Sequence, residues 1–116
     1  MNGTEKHILV CDDSADSCSL FQAFLQIEGY RVVTVTSGVA ALALIESEIP
    51  DLLLLDVMMP EMDGYEVARY IQKKPVLRSI PILLITGYEE DLILFECEAR
   101  ILGIIRKPVD LNVLLK

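Results

Sequence analysis

Apolar residues in this chain fall into short unbroken runs separated by amphipathic stretches, and the two kinds of segment alternate. Ile8-Leu9-Val10-Cys11 is continuous and apolar, then ends on Asp12-Asp13. A run of that kind, closed by polar residues, is how a strand buried on both faces reads. Cys18, Phe21, Phe24 and Leu25 then recur at spacings of three and four. With Ser14 or Asp13 as cap and Gly29 as stop, they predict a helix. Arg31 to Val35 is β-branched and predicts a second strand. Ser37-Gly38 opens a helix of small residues, Val39 to roughly Ser47, whose Ala40, Ala41 and Ala43 allow close packing on a sheet. Pro50 precedes the apolar run Leu52 to Leu55, which predicts a third strand ended by Asp56. An unpaired buried charge is costly, so Asp56 is expected to emerge from the core at the strand's carboxyl end.

Beyond Gly64, the segment Tyr65 to Lys73 places Val67, Tyr70 and Ile71 on one helical face, with Lys73-Lys74 in the last turn and Pro75 as a stop. Ile80 to Ile85 predicts a fourth strand, with Pro81 tolerated near its start and Thr86-Gly87 at its end. Glu89, Glu90 and Asp91 favour a helix start, and a fourth helix is expected from Asp91 to Arg100. Ile104-Ile105-Arg106 predicts a short fifth strand ending at Lys107-Pro108, and Asp110 to Lys116 begins another helix. Five alternations with short connections predict a parallel sheet covered on both faces. Asp12, Asp13, Asp56, Thr86 and Lys107 then point to one rim, the carboxyl edge where open sheets bind ligands.

A length of 116 residues fits one domain. The net charge of -8 opposes nonspecific binding to nucleic acid or an anionic membrane. The longest charge-free stretch, Val32 to Ile45, is 14 residues and contains Thr, Ser and Gly. A membrane span needs about 20 apolar residues. With no secretory h-region near Met1, a cytoplasmic location is expected. Cys11, Cys18 and Cys97 lack metal-site spacing and read as small buried apolar residues, while His7 reads as a surface residue at a strand entrance.

Three clustered carboxylates repel one another unless a cation sits among them, and hard oxygen ligands suit Mg²⁺, which typically binds with phosphate. A lysine charge and a threonine hydroxyl opposite could hold the oxygens of a phosphoryl group. On charge alone, a network of surface ion pairs would be the simpler reading. The shared strand-end placement of all five residues is what favours the phosphoryl site.

These motifs together resemble the receiver domains of two-component response regulators. They are Asp12-Asp13 after the first strand, D-V-M-M-P-E-M-D-G from Asp56 to Gly64, Thr86-Gly87 after the fourth strand and Lys107-Pro108 after the fifth. The resemblance covers nearly the whole chain and implies a flavodoxin-like (βα)5 three-layer sandwich, its parallel five-stranded sheet in the order 2-1-3-4-5. Residues 1–116 would be a single receiver, at the amino end of a longer polypeptide, with its fifth helix truncated. The resemblance makes Asp56 the acceptor of a phosphoryl group from a kinase phosphohistidine. Asp13 and Asp56 would ligate Mg²⁺ directly, Asp12 through water, and Met58 by its backbone carbonyl. Met59, Pro60, Met62 and Asp63-Gly64 would shape the loop. Thr86 and Lys107 would bind the phosphoryl group, Lys107 presented by a cis bond to Pro108, and Gly87 would leave the site accessible.

Two positions depart from the family pattern. Ile104 stands where the family usually has an aromatic switch residue, and Arg100 replaces the Gly that normally ends the fourth helix, with Gly103 displaced toward the strand. The implied partners are a sensor histidine kinase or phosphotransfer protein, with no direct contact to nucleic acid or membrane. Leu92, Ile93, Leu94 and Phe95 are more apolar than one sheet-facing stripe requires. The face of the fourth helix, fifth strand and fifth helix is therefore expected to associate with a second receiver or an output region. The competing classes are a receiver-like interaction module that works without phosphorylation, a Mg²⁺-dependent phosphotransferase or phosphatase, and a flavin binder. The last is disfavoured because Asp12-Asp13 would repel an FMN phosphate.

Overall fold

A computed structural model of the chain describes residues 6–86 and 100–106. Five parallel strands, β1 (His7–Cys11), β2 (Arg31–Val35), β3 (Leu52–Asp56), β4 (Ile82–Thr86) and β5 (Ile101–Arg106), form one sheet in the order β2-β1-β3-β4-β5. Helix α1 (Ala15–Ile27) packs on one face, and α2 (Gly38–Ser47) and α3 (Gly64–Lys73) on the other. Each face buries its own apolar cluster. Phe21 and Leu25 of α1 lie with Ile8, Val10 and Leu54, whereas Leu9, Leu53 and Leu55 meet Ile45, Val67 and Ile71. Because successive strand residues point to opposite faces, the unbroken run Leu52 to Leu55 feeds both clusters.

Local chemistry sets the helix ends. Ser14 and Ser37 cap α1 and α2, their hydroxyls accepting from the amides of Ser17 and Ala40. Asp63 and Glu66 form a reciprocal capping box on α3. At the end of α1, Gly29 adopts φ +97 and its N–H donates to the carbonyl of Gln26, while Tyr30 N–H reaches Leu25, which is a Schellman closure.

Five expectations need correction, four of them in the fold. His7 is buried, because it pairs with Arg31 of β2 on one side and is bonded on the other to Asp51, just before β3, whose N–H donates to the His7 carbonyl at 2.8 Å. Its Nδ1 lies 3.9 Å from Glu48 Oε2. Strand β4 starts at Ile82 rather than Ile80, since Pro81 has no N–H to give the ladder and contributes only its carbonyl, to Leu53 N–H at 2.9 Å. Strand β5 starts at Ile101, three residues early. Arg100 is not helical: its carbonyl accepts from Ile82 N–H at 2.8 Å, and Gly103 lies inside the strand, opposite Leu83. Between those pairings Leu102 is an extra residue, a bulge that hides the strand's period. Gly87, Cys97, Lys107-Pro108, the rest of the fourth helix and the fifth helix lie outside the described residues.

Candidate functional site

In a parallel sheet of this order the strand order reverses between β1 and β3, and a crevice opens above their carboxyl ends. Cys11 pairs with Leu55, so Asp12 follows β1 beside Asp56, the last residue of β3. Asp12, Asp13 and Asp56 come together there, with ligand oxygens all within 4.8 Å of one another. Thr86 closes β4, the next strand along, and is fully buried. Ile104 lies on β5 opposite Leu84.

The fifth correction is Asp56 itself: it stands at the strand end as expected, yet it is only 1 % exposed, and Asp12 is 0 % exposed. Asp13 is open to solvent. Buried carboxylates persist where hydrogen bonds or a cation compensate for lost water. Met58 N–H donates to Asp56 Oδ1 at 3.3 Å, and Ser14 N–H to Asp12 Oδ1 at 2.9 Å. Three hard oxygen donors on adjacent strand ends, two of them buried and one facing water, fit a small divalent cation such as Mg²⁺. The side chain of Met58 points outward and is half exposed, which leaves its main chain as the part near Asp56.

Several supports were not evident from sequence. The Cys18 thiol on α1 reaches the carbonyl oxygen of Asp12 at 3.2 Å, while Asp12 N–H donates to Val35 at 3.1 Å, so the main chain of Asp12 is held from both sides. Gly64, at the start of α3, packs directly against the carbonyl of Asp56. Burial, aided by the charges of Cys18, Asp56, Asp12 and Asp13, pushes the Cys11 thiol from its ordinary 9.0 up to about 12. The native state therefore keeps this proton between pH 9 and 12, where the unfolded chain loses it. Stability is expected to fall as pH rises through that window. Denaturant titrations of wild type and Cys11→Ala across it would check this, the variant showing the shallower fall. A cavity of about 300 Å³, lined by Lys6, Ile8, Leu25, Tyr30, Asp51 and Leu83 among others, lies toward the opposite edge of the sheet, away from this chemistry.

Comparison with known proteins agrees with this geometry. A family model described as the response regulator receiver domain matches residues 8–116. Response regulator PleD of Caulobacter vibrioides is 45% identical over 82 residues, 71% of this chain and 18% of its own length. Transcriptional regulatory protein ZraR of Klebsiella oxytoca is 36% identical over 115 residues, 98% of this chain and 26% of its own. The chain thus spans about a fifth to a quarter of these two relatives. Among solved structures, chemotaxis protein CheY4 of Vibrio cholerae superposes with a TM-score of 0.88 at 27% identity, covering 97% of this chain and 94% of that one. By sequence, fold and the placement of its acidic cluster, the chain belongs to the response regulator receiver domain family of two-component systems.

Proposed function

We propose that this chain is a phosphoacceptor switch in which Asp56 receives a phosphoryl group from a histidine kinase or phosphotransfer protein. The observation that carries the reading is the meeting of Asp12, Asp13 and Asp56 within 4.8 Å at the switch point of the sheet. An oxygen of Asp56 attacks phosphorus as the P–N bond to the donor histidine breaks, and the electron pair leaves on the imidazole nitrogen. Burial of Asp56 keeps water from competing, and the Met58 amide holds its other oxygen so that the attacking one is oriented. Mg²⁺ bound by Asp13, Asp56 and the Met58 carbonyl, with Asp12 acting through water, would neutralise charge that otherwise repels phosphate. Thr86, and Lys107 presented by the bond to Pro108, would take the remaining phosphoryl oxygens. Dephosphorylation would reset the switch in place, so the domain is not a turnover enzyme.

The reading includes a cytoplasmic location, and no helix among the described residues is long and apolar enough to cross a membrane. Incubation with acetyl phosphate and Mg²⁺ is expected to add one phosphoryl group by intact mass. A wild type never modified by any donor would leave the phosphate-independent interaction module in its place.

Within the site, Asp13→Asn is expected to weaken Mg²⁺ more than Asp12→Asn, about tenfold or more, because a direct ligand is lost rather than an outer one. Calorimetric titration of both variants checks it, and equal losses would overturn the assignment.

The output surface would include the β5 edge, where Leu102 and Ile104 are 53% and 43% exposed. An exposed apolar strand edge invites association. Because Ile104 has no ring to swing, Thr86 would act there through backbone and packing shifts. Sedimentation is expected to show association that depends on a phosphoryl mimic and is lost in Leu102→Asp. A domain that stays monomeric in both states, and binds no output fragment through this edge, contradicts it.

A further inference from the structure

The loop between β3 and α3 has no strand or helix of its own, yet it holds the main chain of Met58 against Asp56. Its fixation is visible at two places. Met59 is buried, and the Cys11 thiol at the end of β1 lies 3.6 Å from its sulfur. The same thiol lies 3.4 Å from the carbonyl oxygen of Ser37, the N-cap of α2. Next to it, Gly38 presents bare backbone to the loop. A Cβ there would stand 3.0 Å from Met62 Cγ, 3.1 Å from the Met62 carbonyl oxygen and 2.9 Å from Val67 Cγ2. Val67 is fully buried and has no free space to yield.

We propose that the first turn of α2, together with Cys11, positions the β3–α3 loop for metal binding, with Gly38, Met59 and Cys11 as positioning residues that supply no ligand. The inference rests on the reading that Asp12, Asp13 and Asp56 hold Mg²⁺. Met59 is bonded directly to Met58, so a shift of its side chain displaces the main chain that faces Asp56. Pushing Met62 outward from Gly38 strains the loop from its other end. The contacts join residues far apart in the chain, so the loop keeps its geometry only while α2 stays docked.

The test compares Gly38→Ala, Met59→Ala and Met59→Leu in the full chain, with Leu25→Ala under α1 as a change that destabilises the core away from the loop. Mg²⁺ affinity is read by calorimetry without phosphodonor, alongside the thermal midpoint and exchange of the Met58 amide in metal-free protein. Gly38→Ala and Met59→Ala are expected to weaken Mg²⁺ about tenfold and to speed Met58 exchange. Met59→Leu, which refills the volume, should restore affinity, and Leu25→Ala should melt lower while binding as wild type does. Wild-type affinity in Gly38→Ala and Met59→Ala, with lowered midpoints, overturns the inference and leaves the metal site standing. Should Gly38→Ala fail to fold, the Met59 pair decides alone. No binding by wild type itself overturns both.

Discussion

Asp56→Asn is expected to abolish phosphoryl uptake and, in metal-free buffer, to make the protein more stable. The first effect follows because an amide oxygen is a poor nucleophile toward phosphorus. The second follows from the crowding of three carboxylates whose oxygens lie within 4.8 Å. Two unit charges about 4 Å apart repel by about 4 kcal/mol at an effective dielectric of about 20. Counterions and hydrogen bonds relieve part of this, so a net gain of about 1–2 kcal/mol is expected on removing one charge. Asn keeps an acceptor for the Met58 amide, so the swap need not orphan that donor. Thermal melts in EDTA should show a rise of about 4 °C or more. Added Mg²⁺ should stabilise the wild type and have far less effect on the variant. A variant that melts lower than wild type without metal would mean that the three carboxylates are not in conflict.

Gly64→Ala is expected to be the most damaging single methyl group in the described part of the molecule. Its Cβ would stand 2.5 Å from the Asp56 carbonyl oxygen and 2.8 Å from Val57 Cα, both main-chain atoms at the end of a buried strand. No rotamer change relieves that overlap, so either α3 retreats or the end of β3 moves. Overpacking of this kind costs about 3 kcal/mol. Displacement of Asp56 should also slow phosphorylation about 100-fold, since a shift of about 1 Å in a reacting group is worth that much. Gly29→Ala is the contrast: its φ of +97 is strained for alanine, but nothing lies within 4 Å of the new Cβ. It should lose about 1–2 kcal/mol and phosphorylate at the wild-type rate once folded. Chemical denaturation and acetyl phosphate kinetics on both variants separate the two mechanisms. Equal phosphorylation rates would show that Gly64 is not what sets the position of Asp56.

These two glycines also mark the reach of sequence reasoning. Gly29 was legible because a helix stop is a local event, visible from the end of a three-to-four repeat. The Cβ contact at Gly64 was not, because it depends on how α3 folds back on the strand before it. The same division runs through the fold. Strand β2 is found where expected because Gly29 and Ser37-Gly38 bound it tightly, whereas β5 begins three residues before its legible part because the bulge at Leu102 breaks its period. Strand ends are where the candidate site was readable, since Asp12, Asp13, Asp56 and Thr86, which close the apolar runs of β1, β3 and β4, share one rim in a parallel sheet. That Asp56 and Asp12 are buried there, and that His7 is buried too, follows from neighbours supplied by adjacent strands. The sulfur contact between Cys11 and Met59 joins the end of β1 to the β3–α3 loop, and nothing in either segment alone announces it.

The central claim is that Asp56 forms the new bond to phosphorus, and borohydride trapping tests it most directly. Wild-type protein treated with acetyl phosphate and Mg²⁺, reduced with borohydride and mapped by peptide mass spectrometry, should carry homoserine at position 56 and nowhere else, with no product when Mg²⁺ is chelated. Reduction at another carboxylate, or phosphoryl uptake that survives in Asp56→Asn, would contradict the account.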